Sequence, residues 1–295
     1  MPILQEFDYF KPSSVGEVPK LMTRYKKPLI LAGGTDLINN LKSEVWKPDA
    51  IIDIKGIKML QVITFKNKVL TIGALVTFTD LIESKIIQSK FQVISEMAKT
   101  VGSTGIRNRA TMVGNICSAV ACADSSPVLS AYDANVIVQG KNGKRKIPVN
   151  KWFKGNKQTT LKKNEIVLCI EIPLPAKKHA GCFVKMGRYS GEDLAQASVV
   201  ILALPGKQYR VAFGSVGPIP IRAKEIEALL NGSDLTQELI DKIKDLIPSL
   251  ISPITDIRAT KEYRLLMCPI MFERGLKAVV SRLNGNGPDY GINLI

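Results

Sequence analysis

Residues 28–37 read Pro28-Leu29-Ile30-Leu31-Ala32-Gly33-Gly34-Thr35-Asp36-Leu37, an apolar run that ends in two glycines. The four apolar residues predict a short buried strand, and Thr35 and Asp36 are suited to begin a helix. Two glycines without Cβ atoms leave the backbone amides bare, which lets a pyrophosphate approach closely. The two common nucleotide fingerprints, GxGxxG and GxxxxGK[ST], are both absent. The stretch alone therefore fits either an ordinary turn or an anion-binding loop.

The composition is that of a folded chain with ample material for a core. The 295 residues are 45% hydrophobic, which predicts one large domain or two to three small ones. No apolar run approaches the roughly 18 residues of a membrane span, and the acidic start does not read as a signal peptide. Five cysteines at irregular spacing and the single His179 predict reduced thiols in a cytoplasmic protein that binds no metal of its own.

The chain is strongly basic, with 41 Lys and Arg against 26 Asp and Glu and a net charge of +15. The densest cluster, residues 141–146, falls on an Asn-Gly turn. Aromatic residues are only 6% and do not alternate with the basic residues as a base-stacking surface requires. We therefore predict no nucleic-acid partner. The charge is interpreted as solvated, or as facing acidic partner subunits or an anionic cofactor.

The sequence pattern divides the chain into three regions, residues 1–57, 58–175 and 176–295. In the first region, Ser14 and Glu17 have the spacing of a capping box for a short helix that stops before Pro28. The glycine-containing strand, a helix from Asp36 and a strand over 50–54 complete a small βαβ-like unit.

The second and third regions mix strands and helices, for which the sequence predicts approximate residue ranges. The second comprises a hairpin over 62–72, helices over 79–87 and 91–100, a loop over 101–127, a helix-to-strand passage over 128–138, a hairpin turn at Asn142-Gly143 and a strand over 166–172. The third comprises strands over 181–186, 197–204 and 209–216, a helix capped by Asp234 and Gln237 with Leu235, Leu239, Ile243 and Leu246 on one face, and a helix over 260–283 that kinks or breaks at Pro269.

In the segment from Val101 to Ile116, the apolar residues follow neither the period of a buried helix nor the alternation of a buried strand. It combines small residues, amides and two arginines, Arg107 and Arg109, in one stretch. Such a segment can line a polar ligand, because Thr and Asn supply hydrogen bonds and glycine supplies clearance. A long surface loop is the other interpretation, although long loops are uncommon unless functional.

The two segments resemble the flavin-binding segments of one family, the FAD-binding subunits and domains of molybdenum hydroxylases. Ala32–Leu37 is similar to the first segment of that family, and Ile106–Ile116 is similar to its second, I-R-N-x-[GA]-T-x-G-G-N-[IL]. Val113-Gly114 stands where the family usually has two glycines, and we expect the Val113 side chain to point away from the cofactor. Further similar pieces follow in order at 123–127, 165–173, 183–188, 193–195, 213–223, 256–259 and 262–264.

The resemblance implies an α+β fold of the vanillyl-alcohol-oxidase or PCMH type, with two α+β subdomains holding FAD and a C-terminal α+β domain. It also implies a set of FAD-binding residues. Ile30, Leu31, Ala32, Gly33, Gly34, Thr35 and Asp36 would wrap the pyrophosphate. Thr111, Gly114, Asn115 and Ser118 would contact the phosphate and ribityl portion, Asp124 the sugar-ribityl region, Val167 the adenine end and Lys185 the flavin ring.

The function implied by the resemblance is that of an electron-transfer subunit in a larger oxidoreductase, with no catalytic residue of its own. A large subunit would carry the molybdenum cofactor, a small subunit would carry [2Fe–2S] clusters, and NAD or another acceptor would take the electrons. The spacing of Cys117 and Cys122 argues against an iron–sulfur cluster on this chain. Two alternatives stay open: a stand-alone FAD-dependent reductase similar to UDP-N-acetylenolpyruvoylglucosamine reductase, and a non-enzymatic basic binding module.

Overall fold

Three sheets, each with helices packed on it, follow one another along the chain. A computed structural model describes residues 2–176, 178–189 and 192–295. Within this part of the chain, no helix combines the length and the apolar character needed to cross a bilayer.

The first sheet is small and entirely parallel. Its elements are β1 (Asp8–Phe10), α1 (Val18–Arg24), β2 (Pro28–Leu31), α2 (Leu37–Lys42) and β3 (Ala50–Asp53), with strand order β1-β3-β2. Parallel neighbours need a crossover, and α2 supplies the one between β2 and β3. Leu31, Leu37, Leu41 and Ile51 form the apolar layer between α2 and the sheet.

The predicted capping box before α1 does not form. The Ser14 hydroxyl donates to the Glu17 carboxylate at 2.7 Å, but it makes no hydrogen bond to the backbone of a following residue. Residues Val15–Glu17 form a single 3-10 turn instead, and α1 begins after it with a proline in its first turn. Proline suits that position, because the first turn of a helix has amides without helical partners.

The second sheet is antiparallel, with five strands in the order β4-β5-β10-β6-β7. Both predicted hairpins are confirmed, and the turn of the second includes Asn142. A separate two-stranded hairpin follows β7. The strands are β4 (Ile63–Lys66), β5 (Val69–Gly73), β6 (Asn135–Gly140), β7 (Gly143–Pro148), β8 (Phe153–Gly155), β9 (Gln158–Thr159) and β10 (Ile166–Pro173).

The predicted loop over 101–127 is wrong, because short helices occupy most of it. Ser103 caps α6 and Thr111 caps α7, each through its side-chain oxygen. Such caps let a Gly-rich stretch form single helical turns without an apolar stripe, which is why periodicity does not reveal them. The helices of this region are α3 (Phe78–Glu83), α4 (Lys85–Lys90), α5 (Gln92–Lys99), α6 (Thr104–Arg107), α7 (Met112–Ser118) and α8 (Ser125–Ala131).

The third sheet is antiparallel and carries the longest helices. Its strands β11 (Ala180–Met186), β12 (Ala197–Leu204), β13 (Gln208–Gly214) and β14 (Ile221–Arg222) are neighbours in chain order. The helices are α9 (Lys224–Leu230), α10 (Gln237–Leu250) and α11 (Lys261–Asn284), and α11 packs on β11 and β12. Every residue of β12 is buried, because α11 covers one face of this strand and α8 lies against it as well.

The structure corrects the predicted N-cap and the predicted buried face of α10, and it shows no break in α11. Thr236, and not Asp234, caps α10 by accepting a hydrogen bond from the Leu239 amide. The buried face of α10 consists of Ile240, Ile243 and Ile247, while the other predicted residues flank it. Helix α11 runs through Pro269 without a break, since packing against the sheet compensates for the one hydrogen bond that proline removes.

The cores of the three regions are not separate. The largest apolar cluster joins Val18 and Ile52 of the first region to the second sheet, and it continues to Phe183 and Val200 of the third sheet. A second cluster lies between the third sheet and α9–α11. The division into domains at residues 57 and 175 stays a prediction.

Candidate functional site

The glycine stretch forms a turn between β2 and α2. Strand β2 ends at Leu31, and α2 begins at Leu37 with Asp36 as its N-cap residue. Gly34 adopts a φ of +82°, in the region that side chains disfavour. The Gly34 carbonyl then accepts a hydrogen bond from the Ile38 amide at 2.9 Å. The turn thus depends on a glycine at position 34.

The two predicted ligand segments meet at Gly33. A Cβ atom placed on Gly33 would lie 2.1 Å from the carbonyl oxygen of Arg109, so only a glycine fits between the two backbones. The Ser118 hydroxyl donates a hydrogen bond to the Asp36 carboxylate, across 82 residues of sequence. The structure therefore brings the first and second segments into direct contact.

The amide groups of the turn are available for a ligand. In the described ranges, the amide N–H groups of Gly33, Gly34, Thr35 and Asp36 make no hydrogen bond to a protein acceptor. Free amides are the donors that a pyrophosphate needs, and the missing Cβ atoms of the two glycines let it approach them closely. This part of the site accordingly fits the phosphates of FAD.

The second segment is held by its own short-range hydrogen bonds. The Thr111 hydroxyl accepts from the Gly114 amide at 2.9 Å, and a Cβ atom on Gly114 would stand 2.9 Å from that same oxygen. Thr111 also pairs with Thr77 in an isolated β-bridge. Val113 is buried in the main apolar cluster, so its side chain occupies the core, as expected for a residue that points away from a cofactor.

A buried ion pair lies at the end of the second segment. The Lys185 ammonium is 2.8 Å from the Asp124 carboxylate and donates to the Thr100 carbonyl at 2.8 Å. Burial raises the pKa of Asp124, while the charge of Lys185 and its hydrogen bond lower it. The other carboxylate oxygen of Asp124 has no hydrogen-bond partner among the described residues.

The predicted residues are connected through these contacts, with one exception. Asn115 accepts from the Ser125 amide at 3.3 Å, which places the second segment beside Asp124. Val167 instead lies in β10, buried opposite Val138, next to an irregularity in the strand register. Helix α7 packs against β10, but no hydrogen bond joins Val167 to the glycine turn.

Sequence reasoning did not identify three residues that hold the site in place. Arg109 contributes its carbonyl oxygen at the contact with Gly33, Thr77 pairs with Thr111, and Thr100 accepts from Lys185. All three act through the backbone. Because every residue has the same backbone groups, the sequence does not show which residues make such contacts.

Comparisons with known proteins agree with this geometry. Residues 5–175 match the model of the FAD binding domain in molybdopterin dehydrogenase, and residues 185–279 match that of the CO dehydrogenase flavoprotein C-terminal domain. The chain is 29% identical to the carbon monoxide dehydrogenase medium chain of Hydrogenophaga pseudoflava, covering 94% of this chain and 98% of that protein. It is 31% identical to the glyceraldehyde dehydrogenase medium chain of Sulfolobus acidocaldarius, covering 93% and 98%.

A comparison of folds also relates the chain to carbon monoxide dehydrogenase. A solved structure of carbon monoxide dehydrogenase from Hydrogenophaga pseudoflava superposes with a TM-score of 0.91 at 30% identity, covering 96% of this chain and 99% of that one. The glycine turn and the capped second segment lie within the first matched range, and β12, β13 and β14 lie within the second. The chain belongs to the FAD-binding medium subunits of the carbon monoxide dehydrogenase and xanthine dehydrogenase family of oxidoreductases.

Proposed function

We propose that this chain is the electron-transfer subunit of a multi-subunit molybdenum-containing dehydrogenase. It holds FAD, receives electrons from iron–sulfur centres on a small partner subunit, and passes them to NAD or another acceptor. A large partner subunit carries the molybdenum cofactor and transforms the substrate. The names of the relatives support this assembly, since they are medium chains of dehydrogenases.

The contact at Gly33 carries the proposal. It holds two segments distant in sequence within a backbone-to-backbone contact, and beside it lie four amides that no protein group uses. In a turn without a ligand such accessible donors bond to water, whereas a phosphate would accept from several of them at once. A phosphate-bearing ligand accounts for both observations.

The resemblance to the flavin-binding segments of the family assigns a proposed role to each residue. The segment Ile30, Leu31, Ala32, Gly33, Gly34, Thr35 and Asp36 surrounds the pyrophosphate, and Thr111, Gly114, Asn115 and Ser118 contact the phosphate and ribityl portion. Asp124 lies by the sugar-ribityl region, Val167 near the adenine end and Lys185 by the flavin ring. When bound, FAD supplies both one-electron and two-electron chemistry.

Lys185, which the resemblance assigns to the flavin ring, is a buried cation at the end of the site. Its side chain is only 10% exposed, and Asp124 and the Thr100 carbonyl fix the nitrogen in place. A cation held at low dielectric favours negative charge nearby, because the attraction is screened less than in water. Lys185 thus favours electron-rich forms of a ligand at this place.

The absorption spectrum of the purified chain tests the FAD proposal, followed by chromatography of what acid releases. We expect about one FAD per chain. Gly33→Ala should remove most of the FAD, since the new methyl group would lie 2.1 Å from the Arg109 carbonyl and force the segments apart. Gly16→Ala is the matched control, because nothing lies within 4 Å of a Cβ at that position.

Three results would contradict the proposal. A chain that binds no FAD even with its partner subunits present would refute the site. Equal FAD content in Gly33→Ala and wild type would show that the contact at Gly33 is not part of it. Purification from the native source without molybdenum-containing and iron–sulfur partners would refute the proposed assembly.

A further inference from the structure

More than half of the net charge of the chain lies in one short stretch. Residues 141–165 contain nine lysines and arginines and one acid, Glu165, while the whole chain has a net charge of +15. The stretch covers β7, the β8–β9 hairpin and the connection to β10. This concentration is far above what scattered solvated charge would give.

The stretch folds as one packed unit around Arg145. This side chain donates to both carboxylate oxygens of Glu165, at 2.7 and 2.6 Å, and to the Thr160 carbonyl at 2.9 Å. Glu165 also accepts from the Lys162 amide at 2.8 Å. The one acid of the stretch is therefore used internally, and it does not neutralise the outer lysines.

The unit is attached directly to the second FAD-binding segment. The buried indole of Trp152 donates to the Ile116 carbonyl in α7 at 2.9 Å. At the tip of the hairpin, the Lys157 amide donates to the Ala119 carbonyl at 2.7 Å, and the Asn156 side chain accepts from the Ala121 amide at 3.2 Å. The β8–β9 hairpin, which carries Lys154 and Lys157, is thus fixed beside the loop that leads from Ser118 to Asp124.

Seven lysines of the unit are exposed and form no ion pair with the acids of the described residues. We name them the lysine surface: Lys141, Lys144, Lys151, Lys154, Lys157, Lys162 and Lys163. At physiological salt a charge acts over about 8 Å, so lysines close together in the chain, such as Lys151, Lys154 and Lys157 around the β8–β9 hairpin, reinforce one another's positive potential.

The abundance of lysine on this surface indicates a transient partner and not a permanent subunit contact. Cores of stable interfaces are depleted in lysine and rich in aromatic and apolar residues. Electron-transfer encounters, by contrast, use small, wet contacts that opposite charges steer together. The lysine surface has strong positive charge and no exposed aromatic residue, as an encounter surface requires.

We propose that the lysine surface is the docking site of an acidic one-electron carrier protein that accepts electrons from this subunit. The proposal rests on the proposed function and names its acceptor. Two carrier molecules each gain one electron, the bound cofactor returns from its two-electron reduced to its oxidised form, and two protons pass to water.

The test is binding of an acidic plant-type [2Fe–2S] ferredoxin, used as the probe, to the full chain with and without FAD. We expect the association rate constant to fall at least about tenfold between about 20 and 200 mM NaCl. The triple variant Lys151→Glu, Lys154→Glu, Lys157→Glu should lower it by about tenfold or more at low salt. The control Lys20→Glu, Lys85→Glu, Lys242→Glu changes the net charge equally and uses exposed, unpaired lysines elsewhere, and it should lower the rate less than about twofold.

Equal effects of the two triple variants would overturn the proposal, because net charge alone would then explain binding. It would also be overturned if the chain bound phosphatidylserine vesicles or duplex DNA through the same lysines and ignored ferredoxin. FAD content, read separately at about 450 nm, distinguishes the two proposals: loss of FAD with normal ferredoxin binding refutes the function, and the reverse refutes the docking site.

Discussion

Single residues in the proposed FAD-binding segments are constrained by backbone geometry more than by chemistry. Gly33 is required by its distance to the Arg109 carbonyl, and Gly34 by its positive φ. The constraint on Thr111 is different, because its hydroxyl both caps α7 and lies 2.9 Å from where a Cβ on Gly114 would be. Each of these positions thus requires its residue for a different reason, and a substitution can test that reason.

Thr111→Ala should lower both stability and FAD content. Loss of an N-cap threonine costs about 0.5–2 kcal/mol, and the Gly114 amide loses its 2.9 Å acceptor. Thr236→Ala removes an equivalent cap, from α10, far along the chain from the segments. Urea denaturation should show similar losses for the two variants, whereas flavin absorbance should fall only for Thr111→Ala. A parallel loss of FAD in Thr236→Ala would mean that general destabilisation is responsible.

At the scale of elements, α11 supports the third sheet and also connects to α10. Glu273 of α11 lies 2.6 Å from Lys244 of α10 and 2.6 Å from Lys277 on its own helix. The hydrogen bond from Lys244, followed by that from Lys277, lowers the pKa of Glu273 from 4.5 to about 2. The helix pair is therefore sensitive to acid through one carboxylate.

The contribution of Glu273 to stability should disappear in acid. A carboxyl whose pKa is lower in the folded state stabilises fully above its unfolded value, and the stabilisation is lost as pH falls through the folded value. We expect the loss between about pH 4.5 and pH 2, with a size of about 1 kcal/mol or less, because Lys277 is 60% exposed.

Urea denaturation at several pH values measures this contribution. Glu273→Gln should be less stable than wild type at pH 6 and should approach it below pH 3, in a window set by the pKa of about 2. A constant difference between the two proteins across this range would show that Glu273 acts by packing and not by its charge.

At the scale of the whole molecule, a second buried ion pair, besides Asp124 and Lys185, joins the second and third regions. Glu96 of α5 and Arg282 of α11 are 186 residues apart, and each side chain is only 3% exposed. Glu96 also accepts from the amides of Phe183 and Gly291, and Arg282 lies over the Tyr290 ring. The pair thus fixes β11, which carries Lys185, against the helices of the FAD-binding region.

Arg282→Met should destabilise the chain strongly, since it leaves the Glu96 carboxylate buried without its partner. Breaking a buried pair from one side costs about 3–5 kcal/mol. Lys277→Met removes an exposed charge from the same helix and should cost less than about 1 kcal/mol. Urea denaturation measures both. A loss in Arg282→Met no larger than that in the control would show that the pair contributes nothing net.

Local sequence signals predict most of the helices and strands, and the resemblance predicts which segments hold FAD. The two hairpins of the second sheet, the strand before Gly33 and the helix after Asp36 all follow from such local signals. Motif similarity assigned the proposed site residues without any knowledge of distance, and these assignments stay predictions. Turns, strands and helix starts depend on residues that are adjacent in the chain, and the sequence gives those residues directly.

Tertiary structure alone decided which residues meet. The contact of Gly33 with the Arg109 carbonyl, the bond from Ser118 to Asp36 and the attachment of the lysine surface to the Ala119 loop join distant segments. Packing likewise kept α11 continuous through Pro269, against its local preference. Backbone carbonyls and amides make many of these contacts, and every residue carries them. Residue type therefore cannot specify them, and only the folded arrangement does.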